Sequence, residues 1–448
     1  MITSKRLWLA SVAASSILAA TGAAQAGGFA LREQSAIGLG NAFAGAAAGG
    51  SGLSSMFWNP ATMTDIRGIQ TSFILSGILP YAKISPTSGT SGALQLSGGL
   101  SDSGDMAQDA IVPASYASWQ LNEKLWLGLS VNAPYGLATT NPFNWSGQLY
   151  GRTSKVSSIN ATPTIAYQLT DWLSVGAGVQ IMKFNVRLTS ANAAGYTNIG
   201  VLVPNSIFTN ATTGELKGDD TAFGFTLGAT AKPWAGGEIG VGYRSRVNPK
   251  LEGTFVAPGG NPTTGLAGGT YDIRSDLRLP DQVNVGVRQQ LTNNITVLAG
   301  LEWTHWAKFS RFPVYTTANA LATTLMFDYR DSWYASVGAE YAWNADLTLR
   351  AGLGLEKSPI KSDTRSVRLP DSDRTWTTIG ASYKWDQKLS FDASYAHLFA
   401  KSGTISVTTP IPFAATTKGH VDIVSFGLTY RWDDAPKSVA KPVLVTKG

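Results

Sequence analysis

The sequence predicts an all-β fold: a transmembrane antiparallel β-barrel of about 14 strands with an N-terminal plug, or hatch, in its lumen. Three observations predict it. The chain opens on a secretion signal, and no later segment is apolar for long enough to cross a membrane as a helix. Many segments of about ten residues alternate apolar with small or polar residues. The connections between these segments alternate short and long.

Residues 1–26 read as a signal peptide. Lys5 and Arg6 give a positive start, Leu7 to Gly22 are mostly apolar, and Ala24-Gln25-Ala26 is a small-x-small cleavage site. A membrane-anchor helix is the other reading, but the stretch is short, rich in Ala and Ser, and lacks a positive flank after it. The mature chain then starts at Gly27. After Ala26 no run of about 18 apolar residues exists, so a membrane role requires a closed barrel.

Composition agrees. Charged residues make up 14% of the chain, against roughly 25% in soluble domains. Hydrophobic residues stay at 44% and Gly is abundant at 48. Few charges without an apolar excess suit a wall with lipid outside and water inside. Losing Lys5 and Arg6 from the 35 basic residues leaves 33 against 29 acidic ones. They are scattered, so nucleic acid is not an expected partner. There is no Cys, hence no disulfide, thiol chemistry or cysteine-borne lipid.

The strands follow in order. In 125–131, Leu125, Leu127, Leu129 and Val131 oppose Trp126, Gly128 and Ser130. In 347–356, Leu347, Leu349, Ala351, Leu353 and Leu355 oppose Thr348, Arg350, Gly352, Gly354 and Glu356. A face of Gly, Ser, Thr and scattered charge is what a lumen needs. The candidates are 69–79, 111–120, 124–133, 160–169, 172–188, 221–231, 237–247, 282–291, 294–303, 333–343, 347–356, 374–385, 388–399 and 420–432. Pro163 argues for a bulge in the fourth. Six short turns, such as 170–171 and 292–293, alternate with seven long connections, such as 80–110 and 248–281. Tight periplasmic turns and long external loops have this rhythm. Trp119, Trp126, Trp172, Trp234, Trp343, Trp385 and Trp432 fall near the short turns; Trp303, Trp306, Trp333 and Trp376 fall near the long loops. Two interfacial girdles would place them so. The strands thus span 69–432, in the outer membrane of a Gram-negative cell, and end on Phe426, Leu428, Tyr430 and Trp432. Residues 433–448 read as a periplasmic tail.

Residues 27–68 precede the first strand and are too apolar for a leader: Phe29, Leu31, Phe43, Phe57 and Trp58 lie among many Gly and Ala. Asn59-Pro60-Ala61 reads as an N-cap with Pro at the first helical position. A barrel of about 14 strands is wide enough for an aqueous lumen, which this segment would plug. A disordered periplasmic extension is the alternative.

Longer motifs then become specific. GGFALREQSAIGLGNAFAGAA (27–47), FWNPA (57–61), NAPYGLAT (132–139) and SPIKSDTRSVRLPDSDRTWTTIGASYKW (358–385) resemble the outer-membrane long-chain fatty acid transporter (FadL) family. The matches span the mature chain. The resemblance implies a monomeric barrel closed by an N-terminal hatch, with hydrophobic ligands caught by external loops and passed to an internal pocket. It implies that the N-terminus moves and that a kink in the third strand opens the wall. Phe29 matches the family's N-terminal pocket residue, with Leu31 beside it in the latch, and Gly136 matches the kink glycine. Pro134, Tyr135 and Gly136 form the candidate lateral gate: Pro134 lacks an N–H and Gly136 weakens pairing. Position 134 could also simply begin a loop.

The expected function is uptake of long-chain fatty acids or other hydrophobic compounds. A carboxylate would want Arg or Lys; Lys183, Arg187, Arg244 and Lys308 are the tentative contacts, with Arg246 and Arg311 nearby. The family's own basic contacts do not align clearly, so a neutral hydrocarbon or aromatic ligand stays open. Phe143, Trp145, Tyr150, Ile207, Phe208, Phe309, Phe312 and Tyr315 are loop candidates for ligand or lipopolysaccharide contact. Outer-membrane lipid and the barrel assembly machinery are further expected partners. A porin for polar solutes is the nearest rival. An outer-membrane hydrolase would need a nucleophile beside a His, and His305, His397 and His420 show no such set. No catalytic, metal or cofactor site is expected.

Overall fold

The structure is a computed structural model that describes residues 27–91, 94, 102–143, 145–191, 212–261, 264–408 and 411–433. The expected signal peptide, Ile207, Phe208 and all of the expected tail except Asp433 lie outside the described residues.

A closed 14-strand antiparallel barrel forms the wall. Its staves, in chain order, begin with β1 (Ile69–Pro86), β2 (Ala110–Gln120), β3 (Leu125–Asn132) continued by β4 (Gly136–Thr140), β5 (Thr153–Gln168), β6 (Leu173–Ala191) and β7 (Thr213–Ala231). Four staves then come in two pieces each: β8 (Gly237–Arg244) with β9 (Lys250–Ala257), β10 (Gly269–Asp276) with β11 (Gln282–Gln290), β12 (Ile295–Thr304) with β13 (Arg311–Thr316), and β14 (Leu321–Met326) with β15 (Ser332–Ala342). β16 (Leu347–Lys357), β17 (Arg374–Lys384) and β18 (Leu389–Ala400) follow; the short β19 (Gly403–Val407) folds onto the last stave, β20 (Phe413–Arg431). β20 pairs back with β1 from Gln70↔Arg431 to Pro86↔Ala415 and closes the ring.

Alternation sets the faces. Leu349, Leu353 and Leu355 are exposed on the outside of β16, while Gly352, Gly354 and Glu356 are buried within. Phe223, Phe225 and Leu227 do the same on β7. Apolar surface left open to the outside is stable only against lipid.

The staves run further than the alternation predicted, and the connections are correspondingly shorter. The expected loop 248–281 holds β9 and β10, paired from Gly269↔Ala257 to Asp276↔Lys250. Above a lipid belt the outer face need not be apolar, so Lys250, Glu252 and Asp276 hid the strand signal. The bulge expected at Pro163 is absent. Pairing of β5 with β6 skips from Ala161↔Ile181 to Thr164↔Gly178 in unbroken register, so Pro163 costs a ladder contact and adds no residue.

The tryptophans sort by parity as well as height. Trp119, Trp172, Trp234, Trp343, Trp385 and Trp432 are exposed near the short turns, and Trp303 and Trp333 face each other at 6.4 Å near the long loops. Trp126, Trp306 and Trp376 are corrections to the girdles: all three are buried inside. Trp126 and Trp376 occupy inward positions of their strands, and the Trp126 indole donates to Ile66 O at 2.6 Å.

Residues 27–65 lie within the barrel. Helix α1 (Ala36–Gly40) starts at Ser35, whose side chain accepts from Gly38 N. Three 3-10 turns follow at Ala46–Ala48, Gly52–Phe57 and Pro60–Asp65. Asn59 caps the last of them, which is 3-10 and not α-helical; its side chain accepts from Ala61 N and donates to Ala47 O at 2.7 Å and to Ala229 O on β7 at 2.9 Å. The wall meets this segment with no side chain at Gly240 and Gly242. A Cβ there would run into the backbone oxygens of Ala47 and Trp58.

Candidate functional site

The site begins where the wall loses a ladder. β2 pairs with β3 up to Ser115↔Val131. The next contacts are Gln108 N to Ala138 O at 3.3 Å and the bridge Ala107↔Thr139. Between them the 109–114 and 132–137 backbones do not pair with each other. On the other side, pairing with β5 stops at Asn132↔Asn160 and resumes at Gly136↔Ser157 with the register shifted by one residue, whereas the β2 edge stays unpaired through residue 137.

The N-terminal segment takes the vacated edge. Leu31 N donates to Pro134 O at 2.8 Å, Gly136 N donates to Phe29 O at 2.9 Å, and Ala30 bridges Tyr135. Pro134 has no donor to lose, and its carbonyl is free to serve Leu31. Gly136 leaves room for the approach: a Cβ there would sit 2.8 Å from Leu31 Cδ1, and the Leu31 side chain would have to shift. Tyr135 is fixed through Ser158, whose Oγ accepts from Tyr135 N at 2.9 Å. Phe29 and Leu31 thus come together with Pro134, Tyr135 and Gly136. Asn59, Pro60 and Ala61 lie elsewhere, against β6 and β7.

Phe29 sits in an aromatic cluster. Its ring centroid lies 4.9 Å from Trp306, 5.1 Å from Phe309, 5.7 Å from Tyr135 and 6.5 Å from Phe184. On the long-loop side of this cluster is a narrow cavity of about 60 Å³ lined mainly by apolar side chains, among them Leu137, Val156, Leu251, Phe327 and Tyr329. Lys217, Glu252 and Arg368 are its charged lining residues. Arg368 reaches in from the 358–373 connection. Its Nη1 donates to Thr189 O at 3.0 Å, Thr153 O at 3.2 Å and Ser154 Oγ at 3.3 Å. Desolvation pushes its guanidinium down to about 10, which leaves it a cation at neutral pH.

On the other side of Phe29 lies a smaller polar cavity of about 30 Å³, lined by Arg32, Tyr135, Arg244 and Glu302. Arg32 bridges Glu302 and Glu356, the latter at 3.0 Å, and stacks 4.0 Å from the Tyr334 ring centroid. Arg244 binds Gln180 and donates to Phe57 O at 2.8 Å.

Three of the four tentative carboxylate contacts lie outside the lumen. Lys183 and Arg187 point outward and pair with Asp219 and Glu215. They share the parity of Ile181, which is on the outside. Lys308 is exposed beyond the end of β12. Arg244 alone of the four is buried in the lumen. Arg246 and Arg311 are exposed. Several loop aromatics expected at the surface turn inward: Trp145, Phe309 and Phe312 are buried, whereas Phe143 and Tyr315 are exposed.

Sequence comparison decides the family. The profile described as Outer membrane protein transport protein (OMPP1/FadL/TodX) matches residues 17–432. This chain belongs to the FadL family. The family's members are outer-membrane transporters of hydrophobic compounds, not enzymes. The chain is 27% identical to Outer membrane protein P1 of Haemophilus influenzae, covering 94% of this chain and 98% of that protein. It is 25% identical to a Long-chain fatty acid transport protein of Escherichia coli, over 88% of this chain and 92% of that protein. Among solved structures, a Pseudomonas aeruginosa FadL homologue superposes with a TM-score of 0.81 at 24% identity, covering 91% of this chain and all of that one. The Pseudomonas putida toluene transporter TodX gives 0.62 at 18% identity, over 87% and 98%. These structural likenesses speak for the fold.

Arg368 and the 327–329 aromatics escaped the sequence reading. The signal for Arg368 was present: Arg365, Arg368, Asp371 and Arg374 crowd one segment of a charge-poor FadL-family chain.

Truncating Phe29 tests the cluster. Removing a buried Phe ring costs about 3–5 kcal/mol where the site cannot collapse. Phe29→Ala is expected to free the 27–35 segment to proteolysis and to speed ligand release at least tenfold, while the barrel still migrates as a folded species on gels before heating. Unchanged release rates would detach Phe29 from ligand retention.

Proposed function

We propose that this protein takes up long-chain fatty acids and kindred apolar amphiphiles across the outer membrane. The reading rests on one observation above all: a mainly apolar cavity whose charged lining is Lys217, Glu252 and Arg368 is bounded by Phe29, on the segment that fills the break in the wall. External loops capture the ligand, the cavity holds it, and displacement of Phe29–Leu31 frees both the cavity floor and the 132–137 edge. The ligand then leaves sideways into lipid. Each CH₂ kept from water is worth about 0.8 kcal/mol, so an apolar exit is favoured over an aqueous one.

In this reading residues 1–26 leave as a signal peptide, 27–68 act as the hatch, 69–432 are the barrel and 433–448 a periplasmic tail. Lipopolysaccharide lies against the upper rim, and the assembly machinery reads the Phe426–Trp432 finish. The barrel works as a monomer. Neutral aromatic hydrocarbons are the second reading, favoured by the apolar cavity wall and by likeness to a toluene transporter. A polar-solute porin is disfavoured by the filled lumen.

Mass spectrometry of ligands that co-purify, followed by uptake into vesicles, tests the proposal. Fatty acids or long-chain amphiphiles are the expected ligands; steady ion conductance without hydrophobic uptake would support the porin instead. Pro134→Val with Gly136→Val restores a donor at 134 and crowds Leu31. Uptake should fall about tenfold or more, a loss of at least one pK-unit equivalent of free energy, with equilibrium ligand binding retained. Equal uptake would remove the lateral route.

A further inference from the structure

Two carboxylates converge on the first two described backbone nitrogens. Gly27 N donates to Glu356 Oε1 at 2.8 Å, and Gly28 N donates to Asp371 Oδ2 at 3.1 Å. Glu356 belongs to β16 and Asp371 to the 358–373 connection, so the two arrive from different elements. Both are buried, as is Gly27. The fit is tight: a Cβ on Gly27 would lie 2.7 Å from Glu356 Oε1, and Gly28 has a φ of +72°.

Both carboxylates carry further partners, some on the same oxygens that meet Gly27 and Gly28. Glu356 accepts from Arg32 Nη1 on the shared Oε1 and from the Trp376 indole on Oε2, each at 3.0 Å. Asp371 accepts from the Ser358 hydroxyl at 2.6 Å and pairs with Arg374. Glu33, Glu302 and Tyr334 also face the group through Arg32 and Arg374. Arg32 and Arg374 are shared among four carboxylates, Glu33, Glu302, Glu356 and Asp371, and the peptide nitrogen of Gly27 adds one donor and no charge. Buried carboxylates are stable only when charge and hydrogen bonds are both met.

Hydrolysis of the Ala26–Gly27 bond by water changes that nitrogen. It leaves a carboxylate on Ala26 and an α-ammonium on Gly27, with three donors and a unit positive charge. We propose that Glu356 and Asp371 form a binding site for the chain's own α-ammonium, created by removal of residues 1–26, and that this ion pair secures Phe29 in its cluster. The proposal rests on the latch reading above. Its consequence is that the latch is complete only in the matured chain, because the leader-bearing chain lacks the charge.

The test reads the amine itself. Protein purified from membranes, with intact mass fixing Gly27 as its first residue, is treated with an acylating reagent at neutral pH. N-terminal labelling is followed by peptide mass spectrometry against a free peptide of the same first residues. The Gly27 amine should label about a hundredfold more slowly than the peptide, the scale of a buried ion pair. Glu356→Gln with Asp371→Asn should restore fast labelling. One extra alanine ahead of Gly27 should do the same with both carboxylates intact, which covers a double variant that fails to fold. Labelling at the peptide's rate in the unaltered protein would overturn the proposal. So would slow labelling in every variant, which burial alone would give, or a mature chain starting elsewhere. A protected amine alongside unchanged ligand release in Phe29→Ala would leave the ion pair standing and remove the latch.

Discussion

Replacing Gly240 and Gly242 together with valine is expected to turn a quiet barrel into a conducting one. Both residues sit on the inward face of β8, where Ala47 O and Trp58 O occupy the space a Cβ would need. The blocking atoms are backbone, so no rotamer change relieves them. Overpacking a close contact costs about 1–3 kcal/mol even where side chains can shift. Two adjacent clashes against main chain should exceed what the internal segment gains there. The wall is held by continuous ladders to β7 and β11, so the internal segment yields first. Planar-bilayer recordings should then show a steady ohmic current, with closed-level behaviour in the unaltered protein. The variant should still migrate as a folded barrel before heating. A folded, non-conducting double variant would mean that the seat at β8 does not hold the segment in place.

Arg368→Leu should separate charged from neutral ligands. A hydrogen bond to an ionised partner contributes about 1.5–3 kcal/mol, or roughly tenfold to a hundredfold in affinity. Fatty acid binding should weaken by that factor, while a long-chain alkane keeps its affinity. Arg368→Lys should recover part of the loss, since a point charge remains without the planar fork. Arg368 also ties together Thr153, Ser154 and Thr189, so the neutral ligand serves as the control for local damage. Equal losses for both ligands would assign Arg368 a structural role. Titration calorimetry on the detergent-solubilised protein measures both.

The wall was legible because its physics is local. Period-two alternation marks the lipid belt, and Leu349, Leu353 and Leu355 lie where that pattern put them. Above the belt the pattern ends although the strand continues, so β9, β10, β13 and β14 passed for loop. Parity carried information that went unused: Lys183 and Arg187 follow Ile181 at even spacing, and all three face outward. Trp126 and Trp376 show the opposite slip, since their height suggested a girdle and their parity a lumen. The 132–137 break was visible in Pro134 and Gly136. What fills it was not, because pairing between residues 29–31 and 134–136 spans about a hundred residues of chain and no local pattern encodes it.

The break in the wall has a fixed frame. Above and below it, β2 and the third stave meet in the same register, Ser115 against Val131 on one side and Ala107 against Thr139 on the other. The opening is therefore a window with a sill and a lintel, not a split seam. At about 3.3 Å per residue its six-residue jambs stand roughly 20 Å tall. A seam can unzip under load, but a framed window keeps its size while the barrel's hoop stays whole. In the lateral-exit reading proposed above, passage through it would be set by the shutter, the three residues Phe29 to Leu31, with no widening of the wall.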